Sequence, residues 1–479
     1  MATRKARRGK ARGTGWRGPA RAEEKTSGKP RALAFILLLA AGAALSLVLA
    51  GRGAPGEREN RAAAPRPEPS VASWLSGGFS AAFEAWYADA FPFRAPLVAA
   101  GNAIERLHGL AGFGSAELVR SRGGETEDPG APAGETLPPT EDPVELIETG
   151  KAFGDFLVLG DRAMELLRFR QGAVDVWADA VNAYSRRLDP AVKVRALVAP
   201  SSIAFLDDER YRSLSADQAS GIRAAYAGLD PRVVRVDAHS AIGSHSREYL
   251  YFRTDHHWTG LGAFYAYRAW CAAANLTPLP LASFVVRDLP GFVGTLYGKT
   301  LNPRLKANPD TVRLYEPPFE TSFEYLRHGG TRFESGRLVD AARGDDWNKY
   351  LAYFGDDWPL AVVRREGGDG RKLLVFKDSY GNALIPFLAA HFTEVHVIDP
   401  RHFQGDAVAY ARTHEVDEVL FVNSFAVVSY YTGFAGNIAR VTGAGGAAPA
   451  SAAAPPAGAG STLASEGEEA TPSPASPDA

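Results

Sequence analysis

The sequence predicts an α/β protein with a mostly parallel sheet covered on both faces, and three observations carry that prediction. Short apolar runs of strand type recur at residues 192–199, 233–237, 373–376, 394–399 and 418–423. Segments apolar at helical spacing lie between them, at 171–188, 216–228, 260–274, 385–391 and 405–414. Strands that alternate with helices pair in parallel, because the crossover helix returns the chain to the same end of the sheet. The third observation is compositional: 46% apolar and 23% charged residues in a chain of 479 are ordinary for globular domains with a sizeable core.

At the N-terminus, residues 1–31 form a basic arm rich in Gly, Ala and Arg with no apolar period, which reads as disordered. A basic arm is compatible with nucleic acid, but the segment after it points elsewhere. Residues 32–51 are about twenty positions without a charge, enough to cross a bilayer as a helix. Basic residues crowd before this run and thin out after it, which places the arm in the cytoplasm and the rest outside, behind an uncleaved signal-anchor. Residues 52–150 comprise a Pro-containing spacer, an amphipathic segment and a loop. The amphipathic segment carries Phe79, Phe83, Trp86, Tyr87 and Ala90 at helical spacing and reads as packing surface; positions 120–149 are rich in Gly, Pro, Glu and Thr. The main domain covers 151–442, with less regular strands at 283–288, 311–315 and 359–364, and the tail from 443 to 479 is of low complexity. The net charge of −2 averages a basic head and an acidic tail and names no partner. The single cysteine, Cys271, excludes an intrachain disulfide.

Chemistry concentrates in two stretches. Lys377-Asp-Ser-Tyr-Gly-Asn382 follows a strand and precedes a helix, so Ser379 sits where free backbone N–H groups can stabilise an oxyanion. A base is absent locally. Tyr251-Phe-Arg-Thr-Asp-His-His-Trp-Thr259 supplies Asp255, His256 and His257, and a serine with an Asp-x-His pair is the minimal kit for nucleophilic acyl transfer. On its own each stretch has a plainer reading. Asp-Ser-x-Gly is a turn with good capping chemistry, and Asp-His-His is a possible cation cluster, although adjacent histidines seldom share one ion. No metal or cofactor is assigned. Ligands of open α/β sheets gather at the carboxyl ends of strands, where Ser379, Asp399-Pro-Arg401 and Asn423 stand on three successive strands. His391, His396, His402 and His414 fit no pattern.

These strand ends resemble the SGNH hydrolase pattern, in which the serine follows one strand and an asparagine ends a later one. The order is rearranged, with the Asp-x-His pair ahead of the serine, and in this the chain looks like the alginate O-acetylation proteins with an SGNH-like domain. The wording Arg253-Thr-Asp-His-His-Trp-Thr-Gly260, with Asp89-Ala-Phe-Pro-Phe-Arg94, Gly294-Thr-Leu-Tyr-Gly-Lys299 and Val397-Ile-Asp-Pro-Arg401, resembles the DHHW protein family more closely still. The resemblance implies an SGNH-like, flavodoxin-like fold with Ser379 as nucleophile, His257 as base and Asp255 as its orienting carboxylate. His257 is preferred to His256 because the alginate relatives have a non-histidine at the middle position. The resemblance implies oxyanion donors at the Ser379 or Tyr380 backbone N–H and the Asn423 side chain, with Arg401 neutralising charge, binding an anionic glycan or serving equally as a structural ion-pair residue. Two departures stand out: Lys377 where SGNH enzymes have glycine, and Gly355-Asp-Asp357 where the family often has Gly-Asn.

The expectation is a bacterial envelope O-acyltransferase, single-pass in the cytoplasmic membrane, that moves an acyl group to an extracellular polysaccharide, with a multispanning membrane acyltransferase as partner and no nucleic acid. A carbohydrate esterase with the same residues, or a non-catalytic envelope scaffold or glycan-binding protein, are the other readings.

Overall fold

Alternating side chains decide how the central sheet is covered. On β11 (Lys372–Lys377), Leu373 and Val375 point to one face, while Leu374 and Phe376 point to the other. A computed structural model describes residues 66–75, 78–92, 116–119 and 155–443, with single positions at 37, 45 and 100. The arm, most of 32–51, the 120–149 segment and the tail from 444 lie outside the described residues. Among the described residues no helix is long and apolar enough to cross a membrane.

The strands are β1 (Ala116–Val119), β2 (Phe156–Leu159), β3 (Arg162–Glu165), β4 (Lys193–Ala199), β5 (Val233–Val236), β6 (Val285–Phe292), β7 (Asp310–Glu316), β8 (Thr321–Leu326), β9 (Phe333–Gly336), β10 (Leu360–Arg365), β11, β12 (Glu394–Ile398) and β13 (Glu418–Ser424). The main sheet has the order β5-β4-β13-β11-β12-β10-β8-β9. From β5 through β12 all neighbours are parallel. β10 then pairs antiparallel with β12, and β8 and β9 extend that edge. The sheet is therefore mixed rather than mostly parallel. The antiparallel edge was hidden because the turn after β8 and the edge strand β9 carry charge, as in the Arg327–Glu334 pair, and read as polar loop. The β2–β3 hairpin, turning at Gly160 with φ +65°, was not read from the sequence either.

Helices α1 (Gln171–Arg187), α2 (Gln218–Ala227), α4 (Ala407–Thr413) and α5 (Thr432–Val441) cover one face, and α3 (Gly260–Ala274) with the β6–β7 ribbon covers the other. α1 buries Val174, Trp177, Val181 and Tyr184 at i, i+3, i+4 spacing against the sheet. α3 begins where Thr259 accepts from the Gly262 N–H and ends on Asn275 in the left-handed conformation, φ 56°. Burial of Trp177, Tyr184, Trp258 and Trp270 stabilises each layer by about 1.5–3 kcal/mol per large side chain. Before this body, Gly78–Ala90 is helical as the spacing predicts. Its Phe83 and Tyr87 rings stack 5.8 Å apart, and Trp74 in the preceding short helix is exposed.

Candidate active site

The serine turn is clamped from beneath. β11 delivers Asp378, whose Oδ1 accepts the Tyr380 N–H at 3.0 Å and whose Oδ2 accepts the Ser424 N–H at 2.7 Å. The Asp378 N–H donates to the Val422 carbonyl at 3.3 Å, so the turn is tied to the end of β13. Ser379–Ala383 form a 3-10 turn, with a short α-helix at Ile385–Leu388 and a further 3-10 turn at Ala389–His391, rather than one helix over 385–391. Pro386 and the close entry from β11 favour the tighter geometry. Because Asp378 already takes the Tyr380 N–H, that group is not a free oxyanion donor. The Ser379 N–H has no hydrogen bond among the described residues.

Lys377 explains its own departure from glycine. Its side chain is fully buried, runs beneath Gly381 and ends 2.6 Å from Asp357 Oδ1. A Cβ on residue 381 would lie 2.6 Å from the Lys377 Cβ, so the lysine requires the glycine. Asp357 also accepts from Asn382 Nδ2 at 3.2 Å and from Arg401 Nη2 at 2.7 Å, and Arg401 grips Asp399 through Nε and Nη2. Asp357 thus links the serine turn to the loop after β12. Burial alone would raise its carboxyl, but Lys377 and Arg401 hold it well below the usual range.

The second stretch is a loop held shut by a Tyr251–Trp258 bridge. Asp310, fully buried at the start of β7, accepts the Thr254 N–H at 2.8 Å and the Thr254 hydroxyl at 2.6 Å. Trp258 donates its indole N–H to the Tyr380 carbonyl at 3.0 Å, and Tyr380 donates its hydroxyl to the His256 carbonyl at 2.5 Å. These two bonds lock the loop onto the serine turn. As a result His257 Nε2 lies 2.8 Å from Ser379 Oγ, and His257 Nδ1 lies 2.6 Å from Asp255 Oδ1. Tyr350 stacks on the His257 ring at 3.9 Å and 9°, and its hydroxyl donates to the Ser379 carbonyl at 2.9 Å. Sequence reading missed Tyr350 and Asp310, because no spacing connects them to either motif; Thr295 lay in the quoted segment Gly294–Lys299, but its bonds to Asp255 and His256 did not show there.

Asp255 Oδ2 accepts the Thr295 N–H and the Thr295 hydroxyl, each at 2.8 Å. Burial pushes this carboxyl up, but the two imidazoles and these bonds outweigh it and hold the group well below its ordinary range, so it is ionised. Gly294 permits the approach, since a Cβ there would lie 2.3 Å from the Asp255 Cβ and 2.6 Å from Oδ2. Its φ of −84° suits any residue, so substitution reads the contact alone. Gly294→Ala is expected to destabilise the fold by about 1–3 kcal/mol and to lower ester turnover at least about tenfold. Thermal melting and turnover of a chromogenic acetyl ester check this; a variant with wild-type values would show that the loop yields freely.

Arg401 keeps 37% of its side chain exposed beside Ser379's neighbour strand, and its carboxylate partners raise its pKa further despite burial. Asn423 is buried; its Oδ1 takes the Trp177 indole N–H at 3.0 Å, and its Nδ2 has no partner among the described residues. Asp255, His256 and His257 also offer ligand atoms within 4.8 Å of one another, but each is engaged in the hydrogen bonds above or, for His256, with Thr295 at 2.8 Å.

The DHHW protein family model matches residues 135–398, more than half of the chain. The chain belongs to the DHHW family. A DHHW family protein from Eubacterium siraeum is similar at 29% identity with a TM-score of 0.53, covering 59% of this chain and 94% of that one. PatB1 of Bacillus cereus is similar at 20% identity and a TM-score of 0.50, covering 58% and 98%. The O-acetyltransferase domain of Pseudomonas putida AlgJ matches more distantly, at 15% identity and a TM-score of 0.33, covering 54% and 83%. No curated protein matches the chain. In this DHHW protein the two histidines of the naming motif hold different positions: His257 faces the serine, and His256 lies beside it with ring centroids 3.8 Å apart.

Proposed function

We propose that this DHHW protein is a serine-dependent O-acyltransferase of the cell envelope. The observation that carries the reading is the chain of contacts Ser379 Oγ to His257 Nε2 at 2.8 Å and His257 Nδ1 to Asp255 at 2.6 Å. A serine hydroxyl is a weak nucleophile until an imidazole takes its proton, and a carboxylate on the far ring nitrogen sets the tautomer that can do so. Ser379 Oγ attacks the acyl carbonyl while its proton passes to His257 Nε2, and His257 then gives that proton to the donor's leaving oxygen as its bond to the acyl carbon breaks. The oxyanion is met by the Ser379 N–H, with Asn423 Nδ2 as side-chain donor: an unpartnered buried amide costs about 1–3 kcal/mol, which an oxyanion would recover. Arg401 supplies positive charge at the rim.

Transfer of the acyl group to a polysaccharide hydroxyl rests on the resemblance to the alginate O-acetylation proteins, as does a multispanning membrane acyltransferase as supplier. The apolar run at 32–51 would anchor the chain with residues 155–443 outside the cytoplasm. An esterase would use the same three residues with water as acceptor.

The test is intact-mass analysis after mixing the chain with a chromogenic acetyl ester, and then adding envelope polysaccharide fragments. One acetyl group on Ser379, passed on to the fragments, supports transfer. Acetylation discharged only to water makes the protein an esterase, and no acetylation removes the enzyme reading.

A further inference from the structure

His256 is not needed for the serine's activation, yet its ring is also held, through Nδ1 on Thr295. Asp255 is an ionised carboxylate and can only accept, so the 2.8 Å contact with the Thr295 hydroxyl commits that hydroxyl's single proton to Asp255. Thr295 Oγ1 must then accept from His256 Nδ1, 2.8 Å away, which makes His256 the Nδ1–H tautomer. One carboxylate therefore sets two imidazoles: His257 directly through Oδ1, and His256 through Thr295 on Oδ2. The remaining nitrogen of His256, Nε2, carries a lone pair and has no hydrogen-bond partner among the described residues. It is not sealed in, since the side chain keeps 24% of its surface. Burial, and after it the neighbouring His257, lower the His256 pKa to about 4, so the ring stays neutral at the pH of the cell exterior. Glu165, Lys299, Asp255 and His257 are the charged or titratable groups that face it.

We infer that His256 Nε2 is a second hydroxyl acceptor beside the nucleophile, and that it selects vicinal diols, such as adjacent hydroxyls of a sugar ring, over simple alcohols. This rests on the acyl-enzyme reading of Ser379. During transfer one hydroxyl of the diol attacks the acyl–Ser379 ester, its proton passing to His257 Nε2. The bond from acyl carbon to Ser379 Oγ breaks as the new ester bond forms, and His257 returns the proton to Oγ. The adjacent hydroxyl donates to His256 Nε2 and orients the attack. A monohydric alcohol, with one O–H, can fill one of the two acceptors but not both. The two ring centroids lie 3.8 Å apart with their planes tilted by 37°, so the two imidazoles share one site. His256 is thus a specificity-determining residue, and Thr295 the residue that positions it.

The experiment uses the full chain with a chromogenic acetyl ester and measures how the acetyl group partitions between water, 1-propanol and 1,2-propanediol. The wild type should favour the diol over the monohydric alcohol by about five- to tenfold, the worth of one hydrogen bond. His256→Ala and Thr295→Val should bring that ratio to about one, and His256→Gln, whose amide oxygen can accept near the Nε2 position, should restore part of it. A partition ratio is internal to each variant and does not depend on how much protein is active. A diol preference that survives in His256→Ala, or one that is missing from an acetylated wild type, overturns the inference while leaving the acyltransferase reading intact. A wild type that is never acetylated overturns both.

Discussion

Ser379→Ala and His257→Ala are each expected to lower acetyl ester turnover by about 10⁴-fold or more, and the double variant should be no slower than either single one. The reason is that the hydroxyl and the imidazole act as one unit: the 2.8 Å contact transfers a proton that neither partner can move alone. Asp255→Asn should also be severe, because an amide would present the wrong donor to His257 Nδ1 and release the Thr295 hydroxyl. Steady-state turnover together with a burst measurement checks all three. Losses that simply multiply in the double variant would mean that Ser379 and His257 act independently, which the proposed mechanism does not allow. Circular dichroism and melting separate loss of chemistry from loss of fold.

Asp357→Ala should cost about 3–5 kcal/mol of stability, a large share of what a domain has to spare. Lys377 has no exposed surface, and its ammonium ends 2.6 Å from Asp357, with Asp399 the next carboxylate at 4.0 Å. Removing Asp357 leaves that cation buried with only the more distant partner, which Arg401 already occupies. The Lys377→Met, Asp357→Ala double variant should recover much of the loss, since no buried charge is then left with a distant partner. Urea denaturation reads both. A cost below about 1 kcal/mol for the single change would mean that water reaches the ammonium, as the 21% exposure of the Asp357 side chain allows in part. The same change should disturb the active site, because Asp357 also holds Asn382 and Arg401.

Lys377, which stands where SGNH enzymes have glycine, finds its partner in Asp357, next to the Gly355-Asp356 pair that departs from Gly-Asn. The separation of Lys377 and Asp357 along the chain carries no period, and only the close approach of residue 381 to the lysine shows that the pair and the glycine belong together. The antiparallel edge was missed for a different reason. β8 has alternating Phe323 and Tyr325, but its polar face and the charged β9 beside it resemble a loop when read locally. Likewise Tyr350, Thr295 and Asp310 hold the site together from three separate segments. Nothing in their immediate neighbourhoods marks Tyr350 or Asp310, and the family segment that contains Thr295 does not reveal its partners.

What the sequence determined by itself is the material that local physics encodes. Apolar period and turn residues set the strands and helices of the parallel half, α3 to the residue, and the residue types of the Asp-His-His-Trp and Asp-Ser stretches set the chemistry available. Tertiary structure alone decided that a hydroxyl and an imidazole 122 residues apart meet at 2.8 Å, that the sheet ends in antiparallel strands, and that a buried lysine supports the serine turn. The reason is that contacts across the chain depend on packing and hydrogen-bond completion between distant segments, and those leave no periodic trace in any one of them.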